Sequence, residues 1–211
     1  MKDGAKMEAI LDQAFSEKLF KIDRAGYHPR YNGLQLLNRN VLLIYLRRLL
    51  RIDKANAPFD ILALETDFYK DRLDRVGRQV RVVDYKTGRP LTSSAPSVEE
   101  IFNPDYVDSK HTVYYLQSFL YSDIISSSRE AQEACRIAGD PVAPALLFIR
   151  QAKDETYNPI LKVKDEGQEG KRKATFSEVN DIASVHEEFA SGVRQRLGHA
   201  ACRHLRRGQA L

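Results

Sequence analysis

Asp71, Asp84 and Lys86 are the residues whose types and spacing best suit chemistry in this chain. They flank Gly77-Arg78, a pair that suits a hairpin turn. If the turn has two residues with Gly in its first central position, a type II′ arrangement, facing residues carry numbers that sum to 155. Asp71 then faces Asp84. Facing Cβ atoms stand only ~4.5 to 5.5 Å apart, and two like charges there are destabilising unless something positive lies between them. Side chains alternate along a strand, so Lys86 emerges on the Asp84 face. Two carboxylates and an ammonium in one patch suit a hard divalent cation, because Mg²⁺ takes oxygen ligands, keeps several waters and shares phosphate oxygens of a substrate. Such an ion acidifies water, and a neighbouring lysine can position that water or take its proton for in-line attack on phosphorus. By the same alternation Glu65 lies on the Asp71 face if no bulge intervenes, as a further ligand or base. Hairpin geometry alone leaves a second reading open, in which Asp71 and Asp84 face solvent and each is screened by its own arginine. Asp74 is expected opposite Arg81, on the other face, as a surface ion pair of small value. Gly88 reads as a strand-ending turn that also permits close approach of a phosphate backbone.

These residues need a frame. Met7, Ile10, Leu11, Ala14, Phe15, Leu19 and Ile22 recur at helical spacing and predict an amphipathic helix over about 5–22. A second helix is expected over about 34–51, with Arg47, Arg48 and Arg51 complementing its C-terminal dipole. After the break at Ala55 to Pro58 the period becomes extended, through Ile61 to Leu64, Phe68 to Val76 and Val80 to Val83, which predicts three strands. Residues 89–109 read as a long loop of the kind that borders a site. A helix follows over 112–127 and continues through 129–137 to Gly139. A buried strand at 145–149, an edge strand near 160–163, a charged loop over 164–173 and a last amphipathic helix marked by Phe176, Val179, Ile182, Ala183, Val185 and Phe189 complete the order. That order favours a mixed sheet flanked by helices.

Composition bounds the answer. The 211 residues carry 29% charged and 43% hydrophobic side chains, enough for one ordinary domain with a core. No apolar run approaches the ~20 residues of a membrane helix, so no membrane is expected as a partner. Cys135 and Cys202, 67 positions apart, make neither a disulfide framework nor a metal-ligand pair, and no signal peptide opens the chain; a reducing cytoplasm is the expected compartment. The net charge of +4 is concentrated at one end: residues 194–211 hold five arginines and no acid, which leaves residues 1–193 near −1. The basic end reads as a solvated tail before it reads as a phosphate contact.

Taken together, Asp71-Arg72-Leu73-Asp74-Arg75-Val76, then Asp84-Tyr85-Lys86-Thr87-Gly88, then Gln117 and Tyr121 on the following helix resemble the PD-(D/E)XK nuclease superfamily, most closely the RecB-type exonuclease domain at the C-terminal end of bacterial helicase-nuclease subunits such as AddB. The likeness covers about residues 34–190. It implies an α/β, restriction-endonuclease-like core with a mixed central β-sheet flanked by helices. It implies a Mg²⁺- or Mn²⁺-dependent deoxyribonuclease, exonucleolytic rather than endonucleolytic, working in recombination or repair with DNA as substrate and a helicase region or subunit as partner. Asp71 and Asp84 would hold the metal, Tyr85 would lend its backbone carbonyl, and Lys86 would serve the attacking water. Gln117 and Tyr121 would orient the catalytic groups or the DNA strand; packing alone also accounts for Tyr121, which joins an apolar helix. The family's histidine on a helix before the strands has no counterpart here, since His28 falls in a loop, and the chain is expected to be a fragment beginning after that helix. Residues 1–197 would form one nuclease-like domain and 198–211 a disordered or atypical basic tail. The cysteines of related domains that bind an iron-sulfur cluster are reduced to Cys202, so no cluster is expected; nor is there a phosphate-cradling Gly-x4-Gly-Lys-Ser/Thr loop. The alternative from another class is an inactive DNA-binding or scaffold module of a helicase-nuclease complex.

Overall fold

The computed structural model describes residues 2–22, 29–64, 72–88, 94–152, 157–165 and 174–208. Its centre is a four-stranded sheet in the order β1 (Asp60–Leu64), β2 (Arg72–Val76), β3 (Gln79–Lys86), β4 (Val142–Phe148). The first three strands are antiparallel neighbours, and β3 and β4 run parallel, which makes the sheet mixed. β4 is buried along its whole length, as a strand covered on both faces must be.

The hairpin follows the expected register. Arg72 pairs with Val83, Asp74 with Arg81 and Val76 with Gln79, and each pair sums to 155. Gly77 takes φ +60° and Arg78 does not have a positive φ, the pattern of a type II′ turn, in which only a glycine meets no steric penalty at the first position.

Helices cover both faces. On one, α2 (Gly33–Asn56) lays Ile52, Tyr45 and Leu49 over Val83, Ala145, Leu147 and Ile149. On the other, α3 (Thr112–Ser127) and α5 (His186–Gly208) bury Tyr115, Phe119, Ile125 and Phe189 against Leu73, Val80, Val82, Leu146 and Phe148. Each fully buried aromatic or aliphatic side chain contributes roughly 1.5 to 3 kcal/mol. Among the described residues no helix is long and apolar enough to cross a membrane.

Four elements depart from the sequence reading. The first helix ends as α1 (Lys2–Ala14) and passes into a π-helical turn at Phe15–Leu19. α2 opens on an Asn32–Gln35 capping box and continues to Asn56, so Arg47 and Arg48 are not in its last turn: Arg47 pairs with Glu8 at 3.3 Å, and Arg48 reaches the Ile149 carbonyl at 3.5 Å. The 112–137 helix breaks at Ser128, whose hydroxyl accepts from the Ala131 amide and starts a separate α4 (Arg129–Cys135). Finally, Phe176 belongs not to the last helix but to β6 (Phe176–Glu178), which pairs with β5 (Lys162–Lys164) in a small second sheet. The segment just before β5 does flank β4, through Leu161 N–H to Pro144 O at 3.0 Å and the Ala145–Ile160 bridge.

The connection from β3 to α3 is partly ordered by Glu100. Its carboxylate accepts from the Ser97 amide at 3.0 Å and from Lys110 Nζ at 2.8 Å, while the Ser97 hydroxyl accepts from the Glu100 amide. Burial raises the Glu100 pKa, but the Lys110 and Ser97 bonds outweigh it and hold the carboxyl below its usual range. Because the folded value is the lower one, this stabilisation is complete above the ordinary carboxylate range and is lost as pH falls through the folded value. Glu100→Gln is therefore expected to cost about 1 kcal/mol at neutral pH, and urea midpoints of wild type and variant should converge in acid.

A second prediction concerns α5. A Cβ on Gly192 would stand 2.2 Å from Cε2 of Phe102, a ring itself packed 5.4 Å from Phe189. The ring has an aromatic neighbour limiting its retreat, so Gly192→Ala is expected to destabilise by about 1 to 3 kcal/mol despite its gain in helix propensity. Chemical denaturation of the purified variant would check the value.

Candidate active site

Strand alternation divides the chemistry of β3 between the two faces of the sheet. Arg81, Val83 and Tyr85 point to the α2 side, and Val80, Val82, Asp84 and Lys86 to the α3 side. The contacts agree: Val83 and Tyr85 pack with the α2 cluster, and Val80 and Val82 with the α3 cluster.

On the α2 side the expectation for Asp74 is corrected. It faces Arg81 as expected, but it is 0% exposed and lies in a buried network rather than at the surface. Arg81 binds it with both ends of its fork, Nε to Oδ1 at 2.7 Å and Nη2 to Oδ2 at 3.0 Å. Arg72 adds Nη2 to Asp74 Oδ2 at 2.8 Å and Nη1 to Asp53 Oδ1 of α2 at 2.8 Å. The Arg72 guanidinium also lies over the rings of Phe59 and Tyr85, at 5.4 and 5.6 Å. Burial works against the Arg72 charge, yet Tyr85, Asp74 and Asp53 outweigh it and raise its pKa. The network ties β2 to β3, and both to α2, close to the strand positions of Asp84 and Tyr85.

On the α3 side Asp84 is 3% exposed, and Lys86 Nζ lies 2.5 Å from its Oδ2. The approach is that of an ion pair without hydrogen-bond alignment, and Oδ2 accepts no hydrogen bond among the described residues. Lys86 Nζ also reaches Gln117 Oε1 at 3.4 Å, and Gln117 Nε2 donates to the Tyr121 hydroxyl at 3.3 Å. Gln117 and Tyr121 stand four residues apart on one helix face, the spacing that lets i and i+4 side chains meet. The two motifs, with Lys86 and Gln117 31 residues apart in sequence, thus become one chain of contacts from Asp84 through Lys86 and Gln117 to Tyr121.

Tyr114 belongs to the same stripe, although the sequence reading does not single it out. Lys86 Nζ lies 4.9 Å from its ring centroid, within cation-π range. The signal that could have found it is its spacing: three residues before Gln117, it shares that helix face. Tyr115, by contrast, is buried in the core, where burial pushes its phenol up to about 12.

Tyr85 sends its side chain to the α2 cluster, which leaves its backbone as the part nearest Asp84 and Lys86. Gly88 is exposed just past β3, with open space where a Cβ would stand. Asp71, Glu65 and His28 lie outside the described residues, as does most of the 164–173 loop. A bulge between Ile61 and Ala63 does interrupt the pairing of β1 with β2, upstream of Glu65.

A buried carboxylate with an oxygen that accepts no hydrogen bond is costly unless it has a further partner. Such a carboxylate oxygen is the kind of hard donor that a divalent cation prefers. No group of three or more His, Cys, Asp or Glu that could hold a metal stands together among the described residues.

No curated protein matches the chain, and no solved structure does. A family model, that of the PD-(D/E)XK nuclease superfamily, matches residues 1–210. With its sheet, its Asp84-x-Lys86 strand and nearly its whole length accounted for, the chain belongs to the PD-(D/E)XK nuclease superfamily.

Proposed function

We propose that the chain is a Mg²⁺- or Mn²⁺-dependent deoxyribonuclease domain of the RecB/AddB type, trimming DNA ends exonucleolytically in recombination or repair alongside a helicase region or subunit. Superfamily membership makes phosphodiester hydrolysis the chemistry and DNA the substrate, and nucleases of this group typically use divalent metals. The observation that carries the finer reading is the Asp84–Lys86 pair at the end of β3, a buried carboxylate with a half-buried lysine that Gln117 meets from α3.

In this reading Asp71, Asp84, the Tyr85 carbonyl and Glu65 hold the cation. When bound, the cation supplies charge neutralisation at the scissile phosphate and lowers the pKa of water beside it. Lys86 orients the attacking water, and its ammonium offsets charge that develops on the phosphoryl oxygens. Lys86 offers three N–H donors, and a lysine paired with Asp84 by charge and donating to Gln117 keeps a donor for water or phosphate. Gln117 fixes the direction of the lysine, and Tyr121 fixes the amide of Gln117. Gly88 leaves room for the DNA backbone to pass close to the strand end. Residues 1–197 form the nuclease unit and 198–211 a basic appendage to it.

The test is incubation of end-labelled linear duplex, linear single strands and covalently closed circles with Mg²⁺ or Mn²⁺. The expected result is metal-dependent release of label from linear DNA, sparing of circles, and loss of cleavage in Asp84→Ala and Lys86→Ala. DNA binding with no cleavage by the wild type would instead favour an inactive binding module. Cutting of circles as fast as linear DNA would sink the exonuclease part alone.

A further inference from the structure

We infer that Tyr114 is a positioning residue for Lys86, holding the ammonium by its ring face so that a donor stays open for the reaction; the inference rests on the nuclease reading above. Among the described residues three groups surround Lys86 Nζ: the Asp84 carboxylate at 2.5 Å, the Gln117 amide oxygen at 3.4 Å and the Tyr114 ring centroid at 4.9 Å. The carboxylate holds the ammonium by charge, and the amide oxygen accepts one of its three N–H bonds. A further carbonyl or carboxylate in place of the ring would take another. A π face attracts the cation electrostatically without a directional acceptor, so it resists the lysine's escape to solvent without occupying another N–H.

The ring is itself held. Phe148, the β4 residue that pairs with Lys86, packs on it at 6.2 Å and 60°. From the other end His111 stacks on it almost in parallel, with centroids 5.7 Å apart and planes at 10°. His111 precedes α3 in the left-handed region, φ 52°, ψ 41°. That conformation is unfavourable for a non-glycine residue, and here it accompanies an imidazole seated on the Tyr114 ring. Lys86, Tyr114, Phe148 and His111 thus form one stack rooted in two neighbouring strands and a helix start.

The experiment compares wild type, Tyr114→Phe and Tyr114→Leu by steady-state cleavage of linear DNA and by ¹³C-lysine NMR. Tyr114→Phe keeps the ring face and is expected to keep kcat within about twofold. Tyr114→Leu is expected to lower kcat about tenfold, equivalent to about 1.4 kcal/mol, with KM for DNA within about twofold of wild type. The Lys86 ε-methylene signal, identified by its absence in Lys86→Arg, should be shifted upfield by the ring current in wild type and Tyr114→Phe and lie at an ordinary position in Tyr114→Leu. A leucine variant with unchanged kcat, a phenylalanine variant as impaired as the leucine one, or an unshifted wild-type signal would overturn the inference while leaving the nuclease reading intact. A wild type that cleaves no DNA with Mg²⁺ or Mn²⁺ would overturn both, and so separates the two failures.

Discussion

Asp74→Ala is expected to destabilise the protein by about 3 to 5 kcal/mol, a larger loss than that of either Glu100→Gln or Gly192→Ala. Asp74 is the shared acceptor of two buried arginines, with Arg81 forked onto both oxygens and Arg72 on one. Among the described residues, removing it leaves Arg81 with a 3.5 Å approach to Asn56 Oδ1 and Arg72 with Asp53. A buried unpaired guanidinium costs far more than the pair contributes over an apolar substitute. The same logic predicts a rescue: Asp74→Leu combined with Arg81→Met removes both charges of the forked pair and leaves Arg72 on Asp53, so it should recover much of the loss. Urea denaturation of the single and double variants measures both quantities, and a loss below about 1 kcal/mol for Asp74→Ala would show that the network is no more than a surface pair. Against a total stability of ~5 to 15 kcal/mol, the single change should also reduce the yield of folded protein.

Asp84→Ala is expected to lower DNA cleavage by about 10³-fold or more, and Lys86→Ala by about 10²- to 10⁴-fold, with neither variant unfolding. On the proposed reading the first figure follows from losing a cation whose charge would supply several kcal/mol at the transition state. On the same reading the second follows from losing a group that would position water and offset developing charge. The two residues contact each other, so their effects should not add; the double variant is expected to be hardly worse than Asp84→Ala alone. Cleavage in the double variant equal to the product of the single losses would mean that the two act independently, contrary to the 2.5 Å contact between them.

The parts of this arrangement that local chemistry dictates were readable from the sequence. Gly77-Arg78 sets the turn, the turn sets the register, and the register places Asp74 opposite Arg81. The burial of that pair was not readable, because Asp53 and the rest of α2 come from some 20 residues upstream, and nothing in an alternating run of charges tells which face a distant helix will cover. The last helix was misplaced for a related reason. Phe176 and Val179 fit a helical spacing with Ile182 and Ala183, but a short apolar run is compatible with either period. Pairing of Phe176 to Glu178 with Lys162 to Lys164 decides for a strand. The meeting of Lys86 with Gln117 was suggested by family likeness, whereas the role of Tyr114 required knowing that α3 crosses the end of β3 with that face inward.

If Asp84 holds a divalent cation while Lys86 serves the water, the two roles separate without any turnover. Calorimetric titration of Mn²⁺ into wild type, Asp84→Ala and Lys86→Ala reads them apart. Saturable binding to wild type, loss of that binding in Asp84→Ala and its retention in Lys86→Ala are the expected results. Binding of Mn²⁺ to Asp84→Ala with wild-type affinity would contradict the assignment of the cation to Asp84.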